Sequence, residues 1–242
     1  MWGSYCLSVY FCCCYQPDAV MRLDRLVGKW GGLGKRRVRE VLEAGKVRVN
    51  GASVSDGTCE VGFFDRVEVG DEILQARVAR YVMLHKPAGV VSATVDDEHK
   101  TVIDLIDEDW AGELHLAGRL DRFTTGLLIL TNDSRFSESL TDRERKVGKR
   151  YLVEADSEIS VEAAEAFRNG MWFSKERTAS APAELEVLGP RQCRITIYEG
   201  MHHQVKRMFA HFGIKVIALH REAVGEIELP EDLLPGQWRE IE

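Results

Sequence analysis

The sequence predicts an α+β protein of two domains. In the first part of the chain, up to Val54, apolar residues recur with helical spacing in two short segments and then alternate with polar residues. From Tyr81 onward short apolar strands alternate with single short helices, and the polar stretch Gln75–Arg80 between the two parts has no apolar periodicity. These three observations predict a small domain over residues 21–76, a linker, and a larger domain over residues 80–242.

Composition and charge limit the class of protein. The 242 residues are 45% hydrophobic, which is enough to form packed cores. No run approaches the roughly eighteen apolar residues of a membrane helix, so we expect no membrane partner. The net charge of −7 disfavours nucleic-acid binding by the whole surface, so an RNA site would have to depend on local charge.

The cysteines and the opening residues give no sign of a metal site or of secretion. Four of the six cysteines lie in the first fourteen residues, and none forms a spaced pair of metal-ligand type. We therefore expect no zinc site, no disulfide framework, and a cytoplasmic protein with reduced thiols. Residues 1–20 lack the basic flank and cleavage signal of a secretory leader. Because the helical pattern becomes clean only from Met21, we interpret them as a disordered or mis-assigned extension, which N-terminal sequencing of the native protein would test.

In the small domain, Arg22–Trp30 is predicted to form an amphipathic helix that ends at the glycines following it. Its apolar residues fall at i, i+3, i+4 and i+7: Leu23, Leu26, Val27 and Trp30. A second helix with the same spacing ends at Gly45, and Asn50-Gly51 within the alternating KVRVNGASV predicts a tight hairpin. Val61–Leu74 supplies further short strands.

This helix pair is basic although the whole chain is acidic. Between Arg22 and Arg48 there are nine basic and three acidic residues, and nine minus three gives a local charge of +6. The basic residues are Arg22, Arg25, Lys29, Lys35, Arg36, Arg37, Arg39, Lys46 and Arg48. Such a cluster is the electrostatic footprint of phosphate binding, although a merely solvated helix face is the simpler alternative.

The larger domain is predicted to open with two strands. They are Tyr81–His85 and Gly89–Ala93, around the turn Lys86-Pro87-Ala88-Gly89, in which proline and glycine fit the turn geometry. A short helix at Thr101–Ile106 and a strand at Glu113–Ala117 follow.

Gly118–Asn132, with the sequence GRLDRFTTGLLILTN, is the stretch around which the larger domain is organised. Leu127–Leu130 is short, branched and apolar, so it predicts a strand buried on both faces. Asp121 lies on the loop that this strand anchors, which is a good position for chemistry. A turn aspartate that bonds its own backbone is the plainer alternative.

The rest of the chain predicts helices and strands in alternation. A short helix capped by Ser134 and a basic segment lead into a strand at Tyr151, and Val161–Phe167 is an amphipathic helix. A hairpin joins Ala183–Leu188 to Cys193–Tyr198, and two more strands close the chain.

The last predicted helix places Lys206 off its apolar stripe, towards solvent or a cleft. The stripe has residues at i, i+3, i+4 and i+7: Val205, Met208, Phe209 and Phe212. His202 and His203 precede Lys206, but adjacent helical residues point about 100° apart and no third ligand is apparent. We therefore predict no metal site.

Several of these segments resemble one family in the order in which they occur. GRLD followed by TTGLL resembles the active-site motif of pseudouridine synthases of the RsuA type, which modify small-subunit ribosomal RNA. KRYLV around Tyr151, HQVK at His203–Lys206 and L-x-R at Leu219–Arg221 resemble further motifs of that family. RLDRLV and KRRVREVLEAGKVRVNG resemble the S4-like RNA-binding fold. The resemblance covers about Met21 to Ile241.

The resemblance implies a fold, a mechanism and a set of site residues. The fold would be a small S4-like domain followed by a catalytic domain with a mixed, mainly antiparallel sheet flanked by helices. Asp121 would be the nucleophile, Lys206 its cationic partner, and Tyr151 the residue that packs on the target base. No cofactor would be needed, because uracil is detached and rejoined through carbon without redox chemistry. The RNA-binding residues would be Arg22, Lys35, Arg36, Arg37, Arg39, Lys46, Arg119, Lys149, His203, Gln204, Arg207, Leu219 and Arg221.

Two positions depart from the family pattern. Gly34-Lys35 stands where the second S4-like helix usually opens with Ser-Arg, and glycine is the weaker helix cap. Met201-His202 stands where the family has a basic residue and then an aromatic one, which removes a candidate RNA contact at residue 201.

The expected substrate is ribosomal RNA, bound by a monomer. We expect 16S RNA in a looped or partly assembled small subunit, because sequence-specific recognition favours unpaired RNA and the target base must leave its stack. Three alternatives remain open: action on 23S RNA, a catalytically silent RNA-binding assembly factor, and a glycoside hydrolase that uses a carboxylate pair. The carboxylates in question are Asp104, Asp107, Asp109 and Asp121.

Overall fold

The structure, a computed structural model, describes residues 20–241, so the predicted N-terminal extension lies outside the described residues except for Val20. The chain divides into two compact units, one ending at Ala79 and one beginning at Arg80. Both contain helices and strands, which confirms the predicted α+β class. No helix among residues 20–241 is long and apolar enough to span a bilayer.

The first unit is a helix pair with a small antiparallel sheet. The helices are α1 (Leu23–Gly31) and α2 (Lys35–Glu43). The strands are β1 (Met21–Arg22), β2 (Val47–Val49), β3 (Ala52–Ser53), β4 (Glu60–Val61), β5 (Val67–Val69) and β6 (Glu72–Gln75). Four of them form a sheet in the order β3-β2-β5-β6, and β1 pairs with β4.

The core of this unit follows the predicted apolar stripes with one exception. Leu23, Val27, Val38 and Leu42 are buried, as helical spacing requires. Trp30 is 42% exposed, so its predicted place in the buried stripe is wrong: it lies in the last turn of α1, beyond the reach of the small core. The hairpin is confirmed between β2 and β3, where Asn50 and Gly51 have φ of 52° and 83°.

The second unit is built on one nine-stranded sheet. Its strands, with the small β11–β12 hairpin, are β7 (Tyr81–Lys86), β8 (His115–Leu116), β9 (Thr125–Thr131), β10 (Lys149–Ala155), β11 (Trp172–Phe173), β12 (Thr178–Ala179), β13 (Glu184–Gly189), β14 (Gln192–Ile197), β15 (Val216–Val224), β16 (Ile227–Glu228) and β17 (Trp238–Glu240). The helices are α3 (Ser134–Thr141), α4 (Val161–Asn169) and α5 (Gln204–His211).

The order of this sheet is β13-β14-β10-β15-β9-β7-β17, with β16 beside β15 and β8 beside β9. In the described chain, β9 and β15 pair in parallel and the other neighbours pair antiparallel. The predicted mixed, mainly antiparallel sheet is therefore confirmed.

Strand β9 is buried on both faces, as its sequence predicts. Leu128 and Leu130 pack in one cluster and Leu127 and Ile129 in another, and all four side chains are fully buried. Successive residues of a strand point to opposite faces, so β9 is anchored by two separate cores. The loop that precedes it is held at its C-terminal end by this strand.

Four local predictions are corrected. Gly89–Ala93 forms no strand beyond an isolated bridge between Val91 and Thr101, because its polar groups bond to the loop around Asp121. The cap of α3 is Asp133 rather than Ser134: its carboxylate accepts hydrogen bonds from the backbone N–H groups of Arg135 and Phe136, the second and third residues of the helix. The predicted strand at 113–117 is reduced to β8, and the helix at 101–106 to the single 3₁₀ turn Ile103–Leu105.

Candidate active site

Asp121 lies in the loop between β8 and β9, in a turn closed by a hydrogen bond from Thr124 N to Asp121 O of 3.0 Å. Its side chain is 28% exposed, so it is accessible from a hollow but not on an open surface. The loop has a fixed conformation because several side chains and backbone groups from outside it bond to its carbonyl oxygens.

The most extensive of these anchors is Lys86, the last residue of β7. Its side chain is fully buried, and Nζ donates hydrogen bonds to the carbonyl oxygens of Pro87 at 3.0 Å, Arg122 at 3.0 Å and Thr124 at 2.9 Å. Burial lowers the pKa of Lys86 to about 8; nearby Asp121 acts in the opposite direction, and Lys206 lowers it further. Lys86 thus joins the first strand of the unit to the loop that carries Asp121.

A second anchor comes from the segment that was predicted to be a strand. Ser92 Oγ donates to Leu120 O at 2.8 Å and accepts from Leu120 N at 3.1 Å, and Ser92 is buried. Gly89 N donates to Arg122 O at 2.9 Å, while Arg122 Nε donates to Gly89 O at 3.1 Å. The residues on both sides of Asp121 are therefore held by this segment.

Gly126 allows β15 to approach the end of the same loop. Its φ is +105°, and a Cβ atom at this position would lie 2.2 Å from Arg221 O. Any other residue would therefore clash with backbone as well as adopt an unfavourable conformation. The glycine of TTGLL is explained by this close parallel pairing.

Helix α5 brings the cationic partner of Asp121. Val205, Met208 and Phe209 of the helix are buried, and this packing directs Lys206 towards the loop. Lys206 Nζ donates to Asp121 Oδ2 at 2.6 Å. The nucleophile and cation named from the sequence are thus in direct contact.

A second nitrogen faces the other oxygen of the same carboxylate. His203 Nε2 lies 3.2 Å from Asp121 Oδ1. His203 has a left-handed backbone (φ 51°) at the start of α5, and its ring stacks on that of His202 with centroids 3.8 Å apart. Because a non-glycine residue seldom adopts this conformation, its occurrence here is a mark of a functional position.

These groups line one hollow of about 90 Å³. Its apolar wall includes Tyr151 and Leu219, which are each 8% exposed. The other residues around it are Arg119, Leu120, Asp121, Thr124, Ile197, Gly200, Met201, His203, Gln204, Val205 and Lys206. A planar base could lie against the tyrosine while its sugar faces the carboxylate.

Comparison with known proteins identifies the family of this site. Residues 80–211 match the family described as RNA pseudouridylate synthase. The chain belongs to the pseudouridine synthase family. The ribosomal small subunit pseudouridine synthase A of Pseudomonas aeruginosa is 48% identical over 222 residues, which cover 91% of this chain and 96% of that protein.

Two further pseudouridine synthases agree with this match. The protein of the same name from Escherichia coli K12 is 39% identical over 222 residues, again covering 91% of this chain and 96% of that protein. A crystal structure of a pseudouridylate synthase has a TM-score of 0.66 at 35% identity, covering 92% of this chain and 96% of that one. The resemblance to synthases of the RsuA type is confirmed.

Some residues of this pseudouridine synthase that were expected to bind RNA have other roles in the structure. Arg221 is 3% exposed, and its Nε donates a hydrogen bond to Leu127 O at 2.7 Å. The side chain therefore links β15 to β9 and does not face solvent. Gln204 is 3% exposed and bonds to Met201 N and the Glu199 carboxylate, which fixes the turn before α5. Both side chains are therefore held within the protein, and Gln204 also lines the hollow that contains Asp121.

Two basic residues of this unit are less available than the sequence suggested. Arg207 forms two bonds to Glu176, at 2.7 and 2.9 Å, and its guanidinium lies 4.6 Å from the centre of the Phe173 ring. The carboxylate of Glu176 raises the pKa of Arg207, so the pair is a neutral bridge between α5 and the β11–β12 hairpin. Burial lowers the pKa of Lys149, with a further contribution from Arg221.

In the first unit of the synthase, the basic residues fall into two groups. Arg22 is paired with Asp24 at 2.6 Å, and Arg36 and Arg37 share Glu40 at 3.4 and 2.8 Å. Within residues 20–241, no ion-pair partner lies within reach of five further exposed side chains: Arg25, Lys29, Lys35, Arg39 and Lys46. These five cations are the most available for phosphate.

The sequence missed the residues that hold the loop rather than those that react. Lys86 was interpreted only as part of a turn, and Ser92 as part of a strand. The signal for Lys86 was its place at the end of an otherwise apolar strand, where a buried cation requires several acceptors. Ser92 and Thr124 gave no such signal, since small hydroxyl residues are common in loops.

Proposed function

We propose that this protein isomerises a specific uridine of small-subunit (16S) ribosomal RNA to pseudouridine, with Asp121 as the nucleophile and without a cofactor. The observation that carries the proposal is the bond between Asp121 and Lys206 at the mouth of a hollow walled by Tyr151 and Leu219. The names of the relatives supply the small-subunit RNA. The cytoplasm, where that RNA is assembled, would be the site of action, and one monomer carries every residue named.

The chemistry requires an ionised carboxylate next to the nucleoside. Lys206 and His203 present nitrogen atoms to the two oxygens of Asp121, which fixes the orientation of the carboxylate. The carboxylate is aimed by the loop before the substrate arrives, so little reorganisation is needed when the uridine enters. Asp121 would then act at the nucleoside while uracil is detached, turned and rejoined through its C5 atom.

The energy for removing the base from its stack would come from the wall of the hollow. Unstacking costs a few kcal/mol, and stacking on an aromatic ring returns roughly 1 to 3 kcal/mol per base. Tyr151 is buried against the sheet, so its ring is already fixed and loses little entropy on binding. Arg119 is exposed at the rim and is placed to meet a phosphate.

We further propose that the first unit is an S4-like RNA-binding domain. Its support is the helix pair followed by a hairpin, and the five exposed cations without an ion-pair partner in the described chain. The contacts would be with phosphates and therefore independent of base sequence.

The experiment for the reaction is a map of pseudouridines in both ribosomal RNAs of a deletion strain. One small-subunit pseudouridine should be missing, restored by the wild-type gene and not by Asp121→Asn. If a large-subunit pseudouridine is missing instead, the substrate is 23S RNA. Restoration by Asp121→Asn would reject the nucleophile and favour a silent assembly factor.

The experiment for the first unit compares two triple variants in which three basic residues become glutamine. In the test variant, Lys35, Arg39 and Lys46 are replaced; in the control, Lys100, Arg191 and Lys215. Each lost phosphate contact should reduce the salt dependence of log Kd by about 1, and kcat should stay unchanged. An equal effect of the control would show that binding responds to net charge alone.

A further inference from the structure

Thr124 has a buried hydroxyl group for which the described residues provide no hydrogen-bond partner. The residue is 2% exposed, and Oγ1 is one of two buried side-chain atoms in the described chain that lack a partner. A buried hydroxyl left unpaired destabilises the folded state, and such groups are uncommon in folded proteins. This hydroxyl therefore requires an explanation.

The backbone of Thr124 is fully bonded, so its conformation is fixed for other reasons. Thr124 N donates to Asp121 O at 3.0 Å, and Thr124 O accepts from Lys86 Nζ at 2.9 Å. The threonines at the two ends of β9 have bonded hydroxyls: Thr125 Oγ1 shares a hydrogen bond of 2.8 Å with His220, and Thr131 Oγ1 donates to Arg80 O at 2.6 Å. Of these three threonines, only Thr124 has a hydroxyl without a partner in the described chain.

The position of Thr124 suggests which molecule supplies the missing hydrogen-bond partner. Thr124 and Asp121 are the ends of one turn, and both line the hollow that contains Tyr151 and Leu219. A nucleotide whose reacting centre meets the Asp121 carboxylate would also bring its oxygen atoms to Thr124. The hydroxyl is already out of water, so it gains a hydrogen bond on binding without first losing one.

We propose that the Thr124 hydroxyl donates a hydrogen bond to an oxygen atom of the uridine in the hollow, either the ribose 2′ hydroxyl or a uracil carbonyl. This role rests on the proposed function and assigns to it a substrate contact besides Asp121 and Tyr151. Thr124 moves no proton in the reaction. It selects and orients the nucleotide in front of the carboxylate.

The test replaces Thr124 by valine, which keeps the shape and removes the hydroxyl. Because no bond is lost in the free protein, the midpoint of urea unfolding should stay unchanged or rise. Relative to wild type, kcat/KM for the RNA should fall roughly 10- to 100-fold, as expected when a buried substrate oxygen loses its donor. Thr124→Ser, which keeps the hydroxyl, should recover most of the activity.

Thr131→Val is the matched control, because that hydroxyl has a partner in the free protein. It should lower the unfolding midpoint and leave kcat/KM within about twofold, the reverse of Thr124→Val. If Thr124→Val is destabilised as Thr131→Val is, the hydroxyl has a structural role and the proposal is overturned. It is also overturned if Thr124→Val retains the wild-type kcat/KM.

Equilibrium binding measurements distinguish the ribose 2′ hydroxyl from a uracil carbonyl as the acceptor. They do not require catalytic turnover. The Kd of target RNA is measured for Asp121→Asn with and without Thr124→Val, using uridine or 2′-deoxyuridine at the target position. A penalty that vanishes with 2′-deoxyuridine assigns the ribose hydroxyl, and one that persists assigns a uracil carbonyl. A penalty in neither case rejects the contact even if isomerisation is established, whereas a wild-type protein that converts no uridine rejects the proposed function itself.

Discussion

Two hollows lie on opposite faces of β15, and they differ in how their polar groups are satisfied. Leu219 lines the hollow of about 90 Å³ that contains Asp121, while His220 and Glu222 line one of about 580 Å³. Alternation along the strand separates the two faces. The larger hollow is the more obvious cavity, but the smaller one contains the features expected of an active site.

In the larger hollow, both arginines and three of the four glutamates are paired with one another. Glu222 accepts hydrogen bonds from Arg150 at 3.2 Å and from Arg194 at 3.0 Å, and these arginines also pair with Glu228 and Glu186. Burial lowers the pKa of His220, and His85 lowers it further. Most of its polar groups are hydrogen-bonded or ion-paired to each other, so few donors and acceptors remain for a ligand.

In the smaller hollow, groups are held in place by the fold but not satisfied by it. Lys86 and Ser92 fix the loop, α5 supplies Lys206, and Thr124 has a hydroxyl group without a partner. Unused hydrogen-bonding capacity, rather than volume, distinguishes a site for a substrate from a cavity between structural ion pairs. Four measurements would test this comparison.

The largest effect is expected from Lys206→Met in the smaller hollow. It removes the donor to Asp121 Oδ2 and leaves His203 as the one side chain of the hollow that contacts this carboxylate in the described chain, so kcat/KM should fall roughly 10²- to 10³-fold. Lys215→Met, at an exposed position, is the control for loss of a lysine. An effect of less than about threefold for Lys206→Met would remove the ion pair from the mechanism.

Lys86→Met should have the next largest effect on activity. The carbonyl oxygens of Pro87, Arg122 and Thr124 lose their common donor, so the loop carrying Asp121 becomes less ordered. We expect kcat/KM to fall roughly 10- to 100-fold, mainly through kcat, because the carboxylate is misaligned rather than absent. Unchanged kinetics in a folded variant would show that the remaining anchors suffice.

The lowered pKa of Lys86 predicts a change of stability with pH. In the unfolded chain a lysine titrates at about 10.4, whereas the pKa of Lys86 in the folded protein is about 8. Between these values the unfolded chain binds more protons, so the free energy of unfolding contributed by this group rises as the pH increases. Urea unfolding between pH 7.5 and 10 should show this rise in the wild type. The rise should be smaller in Lys86→Met, in which Lys149 still has a lowered pKa, and parallel curves for the two proteins would contradict the assignment.

The smallest effect on activity is expected from Glu222→Gln in the larger hollow. It weakens the bridge between Arg150 and Arg194, so the free energy of unfolding should fall by about 1 kcal/mol, while kcat/KM stays within about twofold. A loss of activity comparable with that of Lys86→Met would mean that the larger hollow takes part in the reaction, and the comparison would fail.

The sequence predicted the elements that have a period and the residues that carry a motif. β9, α5 and the pairing of Asp121 with Lys206 all follow from apolar spacing or from family resemblance. The roles of Lys86, Ser92 and Arg221 could not be predicted in this way, because each depends on which carbonyl oxygens lie nearby once distant strands have paired. Trp30 shows the converse limit, since its spacing is helical but the core of the first unit is too small to cover it.

The parallel pairing at Gly126 has a consequence for the folding of the chain during its synthesis. Thr125 and His220 are hydrogen-bonded although they are 95 residues apart in sequence. Contacts with such a large sequence separation form slowly. The aspartate leaves the exit tunnel well before the helix and strand that complete its surroundings. The contact between Asp121 and Lys206 therefore cannot form until the chain has been synthesised beyond α5.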